Sequence, residues 1–276
     1  MRLAYYIAVH NDVEQFRWTL SAIYNKDDVF AIHIDRKAGK SFRAVIAGLV
    51  KGKRNVHLLP GQTVAWAGWS FCAAELAGLR ALLSLDDGWS YFINLSGHCY
   101  PVKTIAAIRE SLKQAWPKNF IEVVPISSYE EITPEDRHLK RPFVFEFGGK
   151  LRFTRFCWPK HPMVIYKGSA WHILSRPFCE WINSEGMDCV PRMLHYMFSP
   201  DELLYQLLIT NSPFRDAIAD HYGREIIWPG PKDLGVDDWP KLSNSTAFFA
   251  RKFDCRNDAR ILHKLADLNG FKVVET

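Results

Sequence analysis

The chain has 276 residues, of which 48% are hydrophobic and 24% charged, which is the composition of an ordinary globular protein. Its net charge of +5, from 35 basic and 30 acidic residues, suits an anionic ligand, but it is too small and too dispersed for a nucleic-acid-binding protein. The sequence has no apolar stretch of roughly 18 residues that would predict a membrane span, and its apolar start lacks a cleavage site. We therefore expect a cytoplasmic protein with reduced cysteines.

The first 125 residues alternate between short apolar runs and helical periodicity. We predict strands at residues 3–9, 29–34, 56–59, 91–95 and 120–124, and helices at residues 13–24, 69–85 and 105–115. Strands and helices that alternate at these lengths form βαβ units, which predict an α/β fold with a mostly parallel central sheet flanked by helices. Such sheets bind ligands at the carboxyl ends of their strands, so Asp35 and the segment after Leu95 are candidates for a site.

The second part of the chain is less regular. Residues 126–168 are rich in Arg, Lys, Phe and Pro, and we expect functional loops there. Helical periodicity returns at residues 177–184, 200–210 and 258–268. Because the sequence has no internal repeat and no low-complexity linker, we predict one domain over residues 1–276.

Generic catalytic and cofactor motifs are absent from the sequence. It contains no phosphate-binding loop, dinucleotide-binding turn, HExxH zinc motif or GxSxG nucleophile elbow, and no CxxC pair. No DxD triplet that would hold a divalent metal follows a predicted strand: Arg36 and Lys37 after Asp35 would repel a cation, and Asp237 and Asp238 are typical of a solvated loop. We therefore expect neither a metal nor a cofactor.

Five segments, in order, resemble the core 2 / I-branching β-1,6-N-acetylglucosaminyltransferase family, which also contains the peptide O-xylosyltransferases. They are residues 32–35 (IHID), 64–70 (VAWAGWS), 92–104 (FINLSGHCYPVKT), 168–171 (GSAW) with 199–202 (SPDE), and 249–254 (FARKFD). The resemblance runs from about residue 3 to residue 254 and implies a GT-A-like nucleotide-sugar transferase fold. It also implies a nucleotide-binding half at residues 1–125 and an acceptor-binding and catalytic half at residues 126–276.

The resemblance implies an inverting, metal-independent transfer of a sugar from a UDP-sugar to an acceptor hydroxyl. It gives Glu202 the role of the general base, and Arg224, Lys252 and the neighbouring Arg251 the role of cations that meet the leaving diphosphate. The local sequence around Glu202 also matches a helix capping box, with Ser199 as the cap and Pro200 at the first helical position. Any single Lys or Arg is more often an ordinary surface cation.

Further binding roles follow from the same resemblance. Asp35 and His10 are predicted to bind the nucleotide, although Asp35 also suits a turn and His10 a structural role. Ser96 and Gly97 would let the backbone approach a ligand closely. The predicted sugar-binding residues include Trp66, Trp69 and Trp171, each of which also suits core packing. Glu131, Arg137 and Arg141 lie where the family has acceptor contacts.

Two departures from the family pattern limit what the resemblance implies. Cys99 stands where many members have Asp, and the membrane anchor of the animal enzymes is absent, so the chain looks like a soluble bacterial relative. We expect UDP-GlcNAc as the donor, with UDP-xylose as the alternative and a non-catalytic carbohydrate- or nucleotide-binding protein as a second one. We expect a glycan or lipid-linked glycan as the acceptor, which is compatible with peripheral contact at the inner face of a membrane.

Overall fold

The computed structural model describes residues 1–126, 144–154, 165–228 and 231–272. The strands are β1 (Leu3–Val9), β2 (Val29–Ile34), β3 (Val56–Leu58), β4 (Tyr91–Ser96), β5 (Tyr100–Pro101), β6 (Val124–Ile126), β7 (Val144–Phe147), β8 (Lys150–Phe153), β9 (Ile165–Lys167), β10 (Ile173–Ser175), β11 (Arg224–Ile226) and β12 (Phe249–Arg251). The α-helices are α1 (Val13–Ile23), α2 (Gly39–Leu49), α3 (Trp69–Leu85), α4 (Ile105–Gln114), α5 (Arg176–Ser184), α6 (Leu204–Thr210), α7 (Trp239–Asn244) and α8 (Cys255–Asn269).

The central sheet has five strands in the order β10-β4-β1-β2-β3. Strand β1 pairs in parallel with β2 and β4, β3 pairs in parallel with β2, and β10 closes one edge antiparallel to β4. The predicted α/β fold with a mostly parallel sheet flanked by helices is therefore confirmed. Because β1, β2 and β4 run in the same direction, their carboxyl ends meet at one edge of the sheet.

Both faces of this sheet are buried, which explains why its strands are continuous apolar runs. In β1, Leu3, Tyr5 and Ile7 pack with residues of α1 and α8, while Ala4 and Tyr6 pack with residues of α3, α5 and α6 on the other face. Each large apolar side chain that is buried in this way contributes about 1.5–3 kcal/mol to stability.

A second, three-stranded sheet has the order β11-β12-β5. Strand β12 pairs in parallel with β11 and antiparallel with β5, which follows β4 after a short turn. The backbone N–H of Phe253 donates to the carbonyl of His98 at 3.0 Å. The end of β12 is thereby held beside the carboxyl end of β4.

Two of the predicted elements differ from the structure, and an observed helix was not predicted. Residues 120–124 do not form a fifth parallel strand: Phe120 makes a single bridge to Ile173, and the edge of β4 is taken by β10 from the second part of the chain. Residues 200–210 do not form one helix, because Leu203 lies outside helical geometry between a 3-10 turn at Pro200–Glu202 and α6. Helix α2 was not predicted, although Phe42, Ile46 and Leu49 have the spacing of one helix face and pack with the core.

Helix termini in the first part of the chain follow their capping residues. Asp12 accepts from the backbone N–H of Gln15 at 3.0 Å and begins α1, and Thr104 accepts from Ala107 at 3.0 Å and begins α4. Among the described helices, none has both the length and the apolar character needed to cross a bilayer. The described cysteines are free thiols, namely Cys72, Cys99, Cys179, Cys189 and Cys255.

Candidate functional site

Three predicted site residues follow directly after the parallel strands of the central sheet. The register aligns the ends of β1, β2 and β4, so the structure brings His10, Asp35 and Gly97 to the same edge. The N–H of Asp35 donates to the carbonyl of Val9, and that of Gly97 donates to the carbonyl of Ala8, both at 3.0 Å. This is the edge at which parallel α/β sheets bind their ligands.

Asp35 has a turn role in the structure. Its Oδ1 accepts from the backbone N–H of Lys37 at 2.8 Å and caps the short 3-10 turn Arg36–Ala38. Its Oδ2 lies 3.7 Å from the ammonium of Lys37, and the residue is 8% exposed. The carboxylate is thus already bonded within the protein, and its predicted contact with a nucleotide stays a prediction.

His98 is a site residue that the sequence analysis did not single out. Its Nδ1 donates to the carbonyl of Phe253 at 2.8 Å, and its Nε2 lies 2.9 Å from Oδ1 of the Asn11 side-chain amide. The ring of His10 lies 6.2 Å from that of His98. Burial is the main factor that lowers the pKa of both imidazoles, and the charge of Lys252 lowers both further. The ring of His98 therefore lies between the end of β1 and the end of β12.

The turn after β4 is built around the sulfur of Cys99. The backbone N–H of Ser96 donates to Cys99 Sγ at 3.3 Å, and the Ser96 hydroxyl lies 3.5 Å from the same sulfur. A Cβ added to Gly97 would meet only Val9 and Phe16, at 3.6 Å or more, which is ordinary contact. The protein's own packing therefore does not require glycine at this position, which is compatible with the predicted close approach of a ligand.

The turn that carries Glu202 does not form the capping box that its sequence suggests. Ser199 precedes it with a left-handed φ of 54° and makes no side-chain cap hydrogen bond. The N–H of Ser199 donates to the carbonyl of Ala67 at 2.9 Å, so it is not the partner of the Glu202 carboxylate that a capping box needs. The capping box is thus contradicted, while the catalytic role of Glu202 stays a prediction.

The segment Gly168 to Trp171 is bonded to the Glu202 turn. The N–H of Gly168 donates to the Glu202 carbonyl at 3.0 Å, and the N–H of Ser169 donates to Glu122 Oε2 at 2.8 Å. A Cβ on Gly168 would lie 1.9 Å from the carbonyl oxygen of Glu122, so glycine is required here by close backbone approach.

Asn94 is a second residue that the sequence analysis missed. Its Nδ2 donates to the carbonyl of Ala170 at 2.7 Å and its Oδ1 accepts from the N–H of His172 at 2.8 Å. The amide therefore fastens the segment Gly168 to Trp171 to β4. The signal in the sequence is an asparagine inside the otherwise apolar run of a buried strand.

Arg251 lies between the two parts of the site. Its guanidinium carbon is 4.3 Å from the ring centroid of Trp171, and its side chain hydrogen-bonds Cys99. Burial lowers the pKa of Arg251, while the nearby charge of Asp201 raises it. Arg251 thus contacts both Trp171 and the turn after β4. It also lies near Asp201, the residue before Glu202.

The other two predicted cations have different surroundings. The side chain of Lys252 is 39% exposed, with its ammonium 3.8 Å from Asp233. Arg224 is 5% exposed, and its Nη2 donates to the backbone carbonyls of Asn94 at 3.0 Å and His172 at 3.1 Å. Burial lowers the pKa of Arg224 to about 10. Its Nε is buried without a hydrogen-bond partner, and its predicted role at the diphosphate stays a prediction.

The predicted aromatic residues lie in three different environments. Trp66 is 78% exposed with its ring 5.7 Å from that of Phe198, whereas Trp69 stacks on His195 at 3.8 Å. Trp171 is buried beneath Arg251. The predicted acceptor residues lie outside the described residues, namely Glu131, Arg137 and Arg141.

An open pocket of about 460 Å³ begins beside the segment Gly168 to Trp171. Its lining includes Glu122, Tyr166 and Tyr222. Burial and then the charge of Glu122 raise the pKa of Tyr222 to about 12. The phenol therefore stays protonated near pH 7 and offers a hydrogen-bond donor next to a carboxylate.

Within the described ranges, one group of three side chains has metal-ligand spacing, formed by Asp12, Asp254 and Cys255. Arg256 already binds both carboxylates, with Nε 3.0 Å from Asp12 Oδ2 and Nη2 2.7 Å from Asp254 Oδ2. That guanidinium lowers the pKa of Asp254 to about 2. The positive charge needed to balance these carboxylates is therefore supplied by the protein itself.

Comparison with known proteins identifies the family of the chain. The family described as Core-2/I-Branching enzyme matches residues 3–246. The beta-1,3-galactosyl-O-glycosyl-glycoprotein beta-1,6-N-acetylglucosaminyltransferase of Bos taurus is 31% identical over 209 residues, which cover 74% of this chain and 47% of that protein. Xylosyltransferase 1 of Canis lupus familiaris is 26% identical over an alignment 291 residues long, which covers 96% of this chain and 30% of that protein.

Among solved structures, the apo form of mouse xyloside xylosyltransferase 1 matches with a TM-score of 0.44 and 10% identity, over 93% of this chain and 99% of that one. The chain spans about half or less of the length of the two curated relatives above. Its fold is the α/β arrangement that the resemblance predicts as GT-A-like. From the match over residues 3–246, the chain belongs to the Core-2/I-branching enzyme family.

Proposed function

We propose that this protein is an inverting glycosyltransferase that moves a sugar from a UDP-sugar to a hydroxyl of a glycan acceptor. The observation that carries the proposal is the attachment of the Glu202 turn to the ligand-binding edge of the sheet. The backbone N–H of Gly168 donates to the Glu202 carbonyl, and the side chain of Asn94 bonds the segment Gly168 to Trp171 to β4. Arg251 lies against Trp171 at the end of this segment. This attachment supports a role for the Glu202 carboxylate at the place where a nucleotide sugar would lie.

In this proposal Glu202 takes the proton from the acceptor hydroxyl as the hydroxyl oxygen attacks the anomeric carbon of the donor. The bond from that carbon to the diphosphate oxygen breaks, and UDP leaves with the electron pair. Lys252 would meet the growing negative charge as an exposed point charge, and Arg251 as a planar guanidinium. Arg224 is buried, and it would contribute through its positive charge. No metal is needed for this step.

For the donor we propose UDP-GlcNAc, with UDP-xylose as the alternative. The basis is the pair of relatives, one named as an N-acetylglucosaminyltransferase and the other as a xylosyltransferase. The acceptor we propose is a glycan or a lipid-linked glycan, as in the biosynthesis of a surface polysaccharide. The location of the protein, predicted as cytoplasmic, stays a prediction.

The second candidate is a protein that binds a nucleotide sugar or a glycan without turnover. Cys99 favours it, because many family members have a carboxylate there and this chain has a buried thiol. The two candidates differ in whether UDP is released, and in whether its release depends on Glu202.

The test measures UDP release from a panel of UDP-sugars, with excess EDTA and with candidate acceptors, on the wild type and on Glu202→Gln. We expect one donor to be turned over in EDTA and Glu202→Gln to lower kcat by about 100-fold or more while UDP still binds. Glu110→Gln, an exposed change on α4, is the matched control and should leave kcat unchanged.

Loss of activity in EDTA that returns with a divalent metal would overturn the metal-free step. Equal turnover by the wild type and Glu202→Gln would overturn the role of Glu202. Tight UDP binding without release from any donor and acceptor pair would favour the binding protein.

A further inference from the structure

The β7–β8 hairpin packs on the protein through Val144 of one face, while its other face is largely exposed, with the ring of Phe145 5.3 Å from that of Tyr196. The pairs Phe145 with Arg152 and Phe147 with Lys150 lie on one side of the ladder, because residues two apart on a strand share a face. These four side chains are all exposed, and we call them the outer face. The turn between the strands is Gly148-Gly149, with φ values of 59° and 74°, which a tight two-residue hairpin turn favours.

The inner face of the hairpin is fastened to the body of the protein. Val144 is 1% exposed and packs with Ala67 and Phe198. Oε1 of Glu146 accepts from the backbone N–H of Ser70 at 2.7 Å, in the first turn of α3, where the helix dipole favours a negative charge. An isolated two-stranded hairpin is only marginally stable, so these contacts are what hold its outer face in a fixed orientation.

The outer face combines aromatic and cationic side chains. Phe145 is 52% exposed and Phe147 is 78% exposed, although a solvated sheet face is usually polar. Each faces a cation across the ladder, and the four residues include no acid. Trp66 is also 78% exposed, and its ring lies 5.7 Å from that of Phe198, which packs with the other face of the hairpin.

We propose that this outer face docks the protein onto an anionic lipid surface, an inference that goes beyond the proposed glycosyl transfer. Aromatic rings lie favourably at the boundary between headgroups and acyl chains, and Lys and Arg reach to the phosphates from apolar stems. Each such cation near an anionic membrane adds attraction. A neutral glycan would stack on the rings but would leave Lys150 and Arg152 without a partner of opposite charge.

This docking would bring the Glu202 turn close to the membrane. Phe198, which packs with the inner face of the hairpin, directly precedes Ser199 at the start of that turn.

The experiment measures flotation of the full chain with phosphatidylcholine vesicles that contain or lack phosphatidylserine. We expect binding only with the anionic lipid, and weaker binding as salt is raised. Phe145→Ser with Phe147→Ser, and separately Lys150→Glu with Arg152→Glu, should each weaken binding by about tenfold or more. Phe147→Trp should retain binding, because the aromatic ring is kept.

Two matched controls separate this face from general charge and general apolar exposure. Lys51→Glu with Arg54→Glu makes the same change in net charge at exposed positions, and Val45→Ser with Leu85→Ser removes exposed apolar side chains elsewhere. Both should bind as the wild type does. Circular dichroism confirms that each variant is folded.

No binding to anionic vesicles, or an equal loss in the control variants, would overturn the proposal. If the hairpin variants instead raise KM for a soluble acceptor while vesicle binding is absent, the outer face is a glycan-binding surface. Because vesicle binding is measured without donor or acceptor, it can fail or succeed whether or not the proposed transferase activity holds.

Discussion

The guanidinium carbon of Arg251 lies 4.3 Å from the ring centroid of Trp171. This contact joins the end of β12 to the segment Gly168 to Trp171, which bonds the Glu202 turn. It also fixes the plane of the Arg251 guanidinium, whose pKa is lowered by burial. A stacked arginine is therefore a structural link between two parts of the site as well as a source of positive charge.

Replacing Arg251 with Lys should lower the affinity for UDP by about tenfold, because an ammonium keeps the charge but loses the planar stack and the fork of donors. Titration calorimetry with UDP measures the change. Arg192→Lys, at an exposed position, should have no effect. Equal affinities for all three proteins would show that Arg251 does not contribute to nucleotide binding.

Cys99 lies near two guanidiniums: its sulfur accepts from the backbone N–H of Ser96 and from the side chain of Arg251, and Arg224 is also close to it. We expect Cys99→Asp to be at least as stable as the wild type at pH 7, because the carboxylate would balance both cations. Its folded pKa would be depressed, so this stability is present above the pKa of the unfolded carboxyl and lost as the pH falls.

Cys99→Val is the contrasting variant, since it keeps the volume and removes the acceptor of the Ser96 N–H. It should cost about 1–3 kcal/mol. Urea unfolding at pH 7 and pH 4 measures both variants. If Cys99→Asp is less stable than Cys99→Val at pH 7, the carboxylate does not balance the charges of Arg224 and Arg251.

Gly168→Ala should destabilise the protein by about 3 kcal/mol, because the new Cβ would lie 1.9 Å from the carbonyl oxygen of Glu122. The shift would also move the backbone that bonds the Glu202 carbonyl. Gly48→Ala in α2 meets nothing within 4 Å and should be neutral or stabilising by up to about 1 kcal/mol. Urea unfolding compares the two variants, and similar losses in both would exclude the close approach as the cause.

Acidification below about pH 6.5 should destabilise the fold through His33. Burial lowers the pKa of this imidazole, and its Nε2 accepts from the backbone N–H of Gln62 at 3.2 Å. The pKa of His33 is therefore higher in the unfolded chain than in the folded protein. The free energy of unfolding falls as the pH drops through the unfolded-state pKa toward the folded-state pKa. His33→Gln can still accept from Gln62 and should reduce the slope of unfolding free energy against pH. An unchanged slope would assign the acid sensitivity to other groups.

Local sequence predicted the parallel part of the central sheet because burial on both faces leaves an uninterrupted apolar run. Strands β1 and β2 have the predicted bounds, and so does α3, whose residues are mostly small or apolar. The rule that ligands bind at carboxyl ends then predicted a site that includes Asp35 and the residues after β4, and the register places them at one edge. These features follow from neighbours along the chain, so the sequence by itself determined them.

Tertiary packing alone decided which distant residues complete the sheet and the site. Strand β10 pairs with β4 across about eighty residues, and no local pattern distinguishes that partner from residues 120–124. Arg224 and Lys252 are equally plausible diphosphate ligands in the sequence, yet one is 5% exposed among backbone carbonyls and the side chain of the other is 39% exposed. Periodicity encodes which face of an element is buried, whereas the accessibility of a single cation depends on every element packed around it.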